Sequence, residues 1–141
     1  MSYKIIPKKF KALLEASNED RYFHAVAKIV DLEELFALKD DQGWFFAETK
    51  DGDVYFPIWC HPDFATKTAA KHAKGYSVEA IDLESFMNAW LPGMANDGVK
   101  VSIFPNMDWE SMMLDAAVVL EDIKEQYEFL NSDNEAQLEA E

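Results

Sequence analysis

Residues 44–59 read WFFAETKDGDVYFPIW, and this stretch decides the fold. Two runs of aromatic and β-branched residues, Trp44–Thr49 and Val54–Trp59, flank Asp51-Gly52. Such a dipeptide between apolar runs signals a type I′ hairpin, because both central residues must accept positive φ. That register pairs Lys50 with Asp53 and Trp44 with Trp59. Side chains alternate along a strand, so one face carries Trp44, Phe46, Tyr55, Pro57 and Trp59. The other carries Phe45, Ala47, Val54, Phe56 and Ile58. Both faces are apolar, so each needs a cover: helices on both sides, or helices on one side and a binding surface on the other.

The flanking sequence supplies the helices. Pro7 suits a first helical position, and Ile6, Phe10, Leu13 and Leu14 follow at helical spacing. Ser17-Asn18-Glu19-Asp20 offers a cap for a second helix with Tyr22, Phe23, Val26, Ala27 and Val30 as its stripe, and the two helices read as a short antiparallel pair. Leu35–Leu38 is a short apolar run ended by the turn Asp40-Asp41-Gln42-Gly43. His61-Pro62 opens a third helix with Ala65, Thr68, Ala69 and His72 along one side, and Gly75 stops it. Val78–Ile81 reads as a strand, and Asp82 caps a fourth helix. Its stripe is Leu83, Phe86, Met87, Trp90 and Leu91, with Pro92-Gly93 as its end. Val99–Phe104 alternates as another strand, closed by Pro105. A last helix carries Ala116, Leu120, Ile123, Tyr127 and Leu130.

These elements describe one α+β domain over residues 1–130: a small mixed or antiparallel sheet built on the central hairpin, flanked by about five helices. Residues 131–141 are acidic, polar and without aromatics, which predicts a disordered tail. A chain of 141 residues, 49% hydrophobic, can bury a core without a disulfide or metal.

Charge and cysteine content narrow the function classes. The net charge is −14. Residues 1–107 carry 12 Lys/Arg and 16 Asp/Glu, whereas residues 108–141 carry 11 acids and one base, Lys124. Such a surface repels phosphate backbones and anionic membranes, so nucleic acid and lipid are not expected partners. A basic protein partner fits. The N-terminus holds Lys4, Lys8, Lys9 and Lys11 but no apolar run of signal length. No stretch reaches the roughly 20 apolar residues of a membrane helix. With a single cysteine, Cys60, the expected setting is the cytoplasm.

Catalytic chemistry has little to build on. Cys60-His61-Pro62-Asp63 places a thiol at a helix start, where the dipole lowers a thiol pKa. Adjacent residues in extended chain point to opposite sides, so His61 is badly placed to take its proton. A buried cysteine ending a strand, with His61 as a cap or an exposed ring, explains the same residues. A metal site from Cys60, His61 and His72 lacks the usual ligand spacing. His72 reads as a core histidine and His24 as solvent-facing. Asp40, Asp41, Asp51 and Asp53 read as turn residues. No Gly-rich loop, Gly-x-Ser-x-Gly or paired zinc-ligand motif is present, and no cofactor is implied. Trp44, Trp59, Trp90 and Trp109 are large side chains whose N–H groups need partners if buried. The candidate binding residues are Trp44, Tyr55, Trp59, Cys60, His61 and Trp90.

The order of landmarks carries a resemblance. Asp41-Gln42-Gly43-Trp44 comes first, followed by Phe56-Pro57-Ile58-Trp59-Cys60-His61-Pro62-Asp63-Phe64-Ala65. Then come Ile81-Asp82-Leu83 with Phe86, Trp90-Leu91-Pro92-Gly93, Asp97-Gly98 and Val101–Pro105. Over about residues 19–128 this order resembles the bacterial domain of unknown function 2750 (DUF2750) family. The resemblance implies a small α+β fold and supplies no catalytic residues. The run Pro57–Ala65 is also similar to the N-terminal domain of SseB-like secretion regulators, which implies protein–protein interaction.

The expected function is a non-enzymatic interaction module, regulatory or immunity-like, that binds a protein partner or a second copy of itself through an apolar patch with an acidic rim. The alternative is a small-ligand-binding protein or enzyme with a pocket near Cys60 and His61.

Overall fold

Strand β1 (Glu34–Asp40) is central, with Leu35–Leu38 buried along its length. The computed structural model describes residues 7–140, with side chains described from Pro7 to Leu130. Helices α1 (Pro7–Glu15) and α2 (Asn18–Leu32) precede β1, and Ser17 caps α2 by accepting from the Asp20 N–H at 3.1 Å. The buried residues of α2 are Arg21, Tyr22, Ala25, Val26, Ile29 and Val30. The expected stripe is therefore rotated: Phe23 points outward at 60% exposure, and Ala25 and Ile29 take the inward positions.

The hairpin exists but differs from the expected one. Strand β3 (Ala47–Glu48) pairs antiparallel with β4 (Val54–Ile58), Ala47 opposite Tyr55 and Glu48 opposite Val54. This is one residue out of the type I′ register. The turn carries only one residue with positive φ, Gly52 at 91°. Thr49 N–H bonds to the Asp53 carbonyl at 2.9 Å and Gly52 N–H to the Thr49 carbonyl at 3.0 Å. The Thr49 hydroxyl also accepts from the Asp53 N–H at 3.0 Å. The loop is thus a type I turn followed by a left-handed glycine, which spares Asp51 a positive φ. β3 pairs only Val54 and Tyr55; Pro57, with no N–H to give, lies beyond it.

The first half of the 44–49 run goes elsewhere. Strand β2 (Gly43–Trp44) folds back on β1 through the Asp41-Gln42 turn, with Lys39 opposite Trp44. Trp44 therefore does not pair with Trp59. Where a single central hairpin is expected, there are two small sheets, ordered β2-β1-β5 and β3-β4-β6-β7. In the first, β5 (Ser77–Asp82) runs antiparallel to β1. In the second, β6 (Lys100–Ile103) is parallel to β4 and antiparallel to β7 (Met112–Asp115). One bridge joins the sheets: Phe36 and Trp59 exchange backbone hydrogen bonds at 2.9 and 2.8 Å. Strand β7 has no counterpart in the sequence reading, because Met112-Met113-Leu114 lacks both alternation and β-branched residues.

Helix α3 (Pro62–His72) starts where expected, with Pro62 in the first turn. The segment after Asp82 runs further than expected. It comprises α4 (Leu83–Ser85), a π-helical turn (Phe86–Trp90) and α5 (Leu91–Asp97), so Pro92-Gly93 do not end it. The wide turn explains this. Leu91 N–H bonds to the Phe86 carbonyl, five residues back, and the opened turn accommodates the Pro92 ring, which would collide with a carbonyl in a regular α-turn. Gly98, at φ 73°, provides the stop instead.

Helix α6 (Ala116–Ala140) closes the fold. The expected tail from Asn131 lies outside the residues whose side chains are described. Helix α2 packs on β1, β6 and β7, α3 packs on β1 and β5, and α6 packs on β6, β7, α2 and α5. Both sheets thus contribute to one core. The protein is α+β, and among the described residues no helix is long and apolar enough to cross a membrane.

Candidate functional site

The structure separates the residues singled out in the sequence. Trp59, Cys60 and His61 are buried at 0, 1 and 3% exposure. Trp59 donates its indole N–H to the Pro105 carbonyl at 3.1 Å. His61 is the N-cap of α3, its Nδ1 accepting from the Asp63 N–H at 3.0 Å, with its ring against Phe64. A ring nitrogen accepting a backbone hydrogen bond carries no proton there, so Nδ1 is committed to the helix cap. Tyr55 is buried and accepts from the Trp109 indole N–H at 2.6 Å. Trp44 and Trp90 lie together elsewhere, edge to face at 5.0 Å, and Trp90 stacks on Phe56 at 5.1 Å. Lys39 sits over Trp44 and Phe46 leans on Phe56. The six residues therefore form a buried set and a half-exposed set, not one lining.

The other two histidines exchange roles. His72 is exposed, bonds to the Met107 carbonyl at 2.6 Å and lies on Trp109, so it is not a core residue. His24 is half-buried near Phe104. Burial, with Lys28 and Lys9, lowers its pKa below the usual histidine value.

A buried cation that the sequence reading passed over organises one side of the molecule. Arg21, 1% exposed, donates from Nε to the Phe104 carbonyl at 3.0 Å and from a terminal nitrogen to the Glu110 carbonyl at 2.9 Å. It also bonds the Ala16 carbonyl and the Asn18 side chain. Burial lowers the pKa of its guanidinium, and nearby Glu110 opposes that shift. Beside it lies a cleft of about 640 Å³, lined by Lys11, Lys67 and Arg21 on one hand and by Glu15, Asp108 and Glu110 on the other. Charges of both signs line this cleft, and Arg21, with four of its five N–H groups hydrogen-bonded, ties α2 to the Phe104 and Glu110 carbonyls.

Two grooves beside α6 are different. The first, of about 360 Å³, lies between α2 and α6 and is lined by Tyr22, Phe23, Val26, Asp122, Glu125, Gln126 and Phe129. Phe23 and Phe129 are each 60% exposed. Tyr22 donates its hydroxyl to Asp122, tying the two helices at the floor. Burial, and then that hydrogen bond, drive the pKa of Tyr22 well above the ordinary tyrosine value. The second groove, of about 250 Å³, is lined by Glu33, Leu83, Glu84, Met87, Asn88 and Tyr127. Every charged side chain lining either groove is a carboxylate: Asp122 and Glu125 in one, Glu33 and Glu84 in the other.

Comparison with known families matches residues 22–123 to the model described as protein of unknown function (DUF2750). The chain belongs to the DUF2750 family. A comparison with curated proteins finds no match. The DUF2750 unit, as matched, begins at Tyr22 and ends at Ile123, the last buried residue described on α6. It includes Phe23 and Asp122, while Glu125, Tyr127 and Phe129 lie beyond it on the same helix. The sequence carried a sign of this surface. Phe129 falls off the stripe Ala116, Leu120, Ile123, Tyr127 and Leu130, so a large ring stands among acids with no core position to fill.

Proposed function

We propose that this DUF2750 protein is a non-enzymatic interaction module that holds a protein partner along the groove between α2 and α6. The observation that carries the reading is the pair of large rings, Phe23 and Phe129, each 60% exposed across a groove whose charges are all carboxylates. Apolar rings facing water gain by being covered, and clustered exposed apolar surface with a polar rim marks association sites. Regulatory or immunity-like action fits, since such proteins work by occupying a partner. A single buried thiol, and no membrane-crossing helix among the described residues, support a cytoplasmic setting. Two facts support this reading over a ligand site or enzyme at Cys60 and His61. Both residues are buried, and His61 commits Nδ1 to its own helix cap.

The test compares affinity capture from cell lysate by the tagged chain and by its Phe23→Ser/Phe129→Ser variant. The expected outcome is a partner, identified by mass spectrometry, that the parent retains and the variant loses, with unchanged thermal unfolding. Identical captures by both proteins would overturn the reading.

A further inference from the structure

We infer that the partner segment lying in the α2–α6 groove is a cationic amphipathic helix, with apolar residues between Phe23 and Phe129 and Lys or Arg side chains facing the Glu125 and Asp122 carboxylates; this rests on the interaction reading above. Shape comes first. Two helices tied by the Tyr22–Asp122 hydrogen bond leave an open trough. The lining runs over Tyr22–Val26 of α2 and Asp122–Phe129 of α6, about 6 and 10 Å at 1.5 Å per residue, so the groove seats about two turns of a partner helix. Helix-in-groove binding uses one apolar face, read at i, i+3, i+4 and i+7. Rings at both lips suit that face better than they suit a compact small molecule, for which 360 Å³ of open groove is near the lower limit.

Charge decides the rest. The groove presents Asp122 and Glu125 with no Lys or Arg among its lining residues. The neighbouring groove on the other side of α6 presents Glu33 and Glu84, again without a cation. Residues 108–141, which include α6, hold 11 acids and one base. A second copy would bring the same carboxylates face to face, and like charges across an interface are penalised. A partner bearing Lys or Arg on the flanks of its apolar stripe removes that penalty and is steered toward the face at low salt.

The test uses fluorescein-labelled peptides of about 18 residues, long enough for five turns. One has Leu on one helical face and Lys on the other, one has Glu replacing Lys, and one is a shuffled Leu/Lys sequence without an apolar face. Anisotropy is measured with the full chain and with two variants, Phe23→Ser/Phe129→Ser and Glu125→Gln; circular dichroism checks that both fold. The Leu/Lys helix should bind, about tenfold more tightly than the shuffled peptide and about tenfold more tightly than to the double-serine variant. Glu125→Gln should weaken it a few-fold and reduce its salt sensitivity. Equal binding of the shuffled peptide, or no loss in the double-serine variant, overturns the inference. Should the Leu/Glu peptide bind instead, in a manner lost with the two serines, the groove stands as an interaction face and the cationic partner falls. A dimer in sedimentation that the two serines abolish has the same consequence. If no peptide binds, no dimer forms and capture from lysate is unchanged in the variant, both readings fall together.

Discussion

Two loops of this protein share one backbone pattern and are held in it by different means. In the loop 49–53, Thr49 N–H bonds to the Asp53 carbonyl and Gly52 N–H to the Thr49 carbonyl. In the loop 106–110, Asn106 N–H bonds to the Glu110 carbonyl and Trp109 N–H to the Asn106 carbonyl, each at 3.0 Å. The fourth residue takes positive φ in both, 91° at Gly52 and 64° at Trp109. The first residue supplies a side-chain acceptor in both: Thr49 Oγ1 for Asp53 N–H, and Asn106 Oδ1 for the N–H groups of Asp108 and Glu110. Gly52 takes that conformation at little steric cost. For Trp109 it costs about 1–2 kcal/mol.

What holds Trp109 there is remote in sequence. Its indole N–H bonds to Tyr55, and its ring meets Phe45, Trp59 and His72. The adjoining Glu110 carbonyl is held by buried Arg21. A local rule suffices where a loop faces water, whereas tertiary packing can impose the same turn on a residue that would otherwise avoid it.

The comparison can be broken most directly at Trp109. Trp109→Ala should cost roughly 3 kcal/mol in urea unfolding, since it empties a half-buried ring site and keeps a β-carbon at positive φ. Trp109→Gly should cost about 1 kcal/mol less, because it releases the strain. If the two variants unfold at the same urea concentration, the left-handed backbone carries no strain and the contrast with Gly52 fails. Next in size is Asn106→Ala, which leaves two backbone N–H groups without their acceptor. It should cost about 2 kcal/mol by the same measurement, against about 1 kcal/mol for Thr49→Ala, which orphans one. Equal costs would mean that the second hydrogen bond of Asn106 adds nothing. Smallest is Gly52→Ala, at about 1 kcal/mol from φ alone, since an added β-carbon would meet only Glu48 Oε1, at 3.7 Å. A neutral Gly52→Ala would show that the exposed loop relaxes to another turn type.

The same division between near and far runs through the rest of the molecule. Asp51-Gly52 marked a hairpin, but not its register, because a type I′ turn and a type I turn with a left-handed glycine accept the same dipeptide. Trp90-Leu91-Pro92-Gly93 looked like a helix end, because proline breaks regular α-turns; one wide turn carries the helix past it. On α2 the hydrophobic pattern fits either of two stripes, since Phe23 and Ala25 are equally acceptable to the helix and only the strands and α6 packed against it choose between them. The candidate site was less legible still. Trp59, Cys60 and His61 drew attention as chemically distinctive residues and are core and cap. Phe23 and Phe129 are ordinary residues made distinctive by exposure.

The sequence by itself determined the α+β class, the helix starts at Ser17, His61 and Asp82, the turns at Gly43 and Gly52, and the acidic C-terminal stretch. Each of these depends on groups within about four residues of one another. Tertiary structure alone decided the split into two sheets, the left-handed Trp109, the buried Arg21 and the groove between α2 and α6. These rest on contacts such as Trp59 with Pro105, 46 residues apart, and Tyr22 with Asp122, 100 residues apart. No local propensity selects such partners; the chain finds them when the apolar faces of distant elements are buried together.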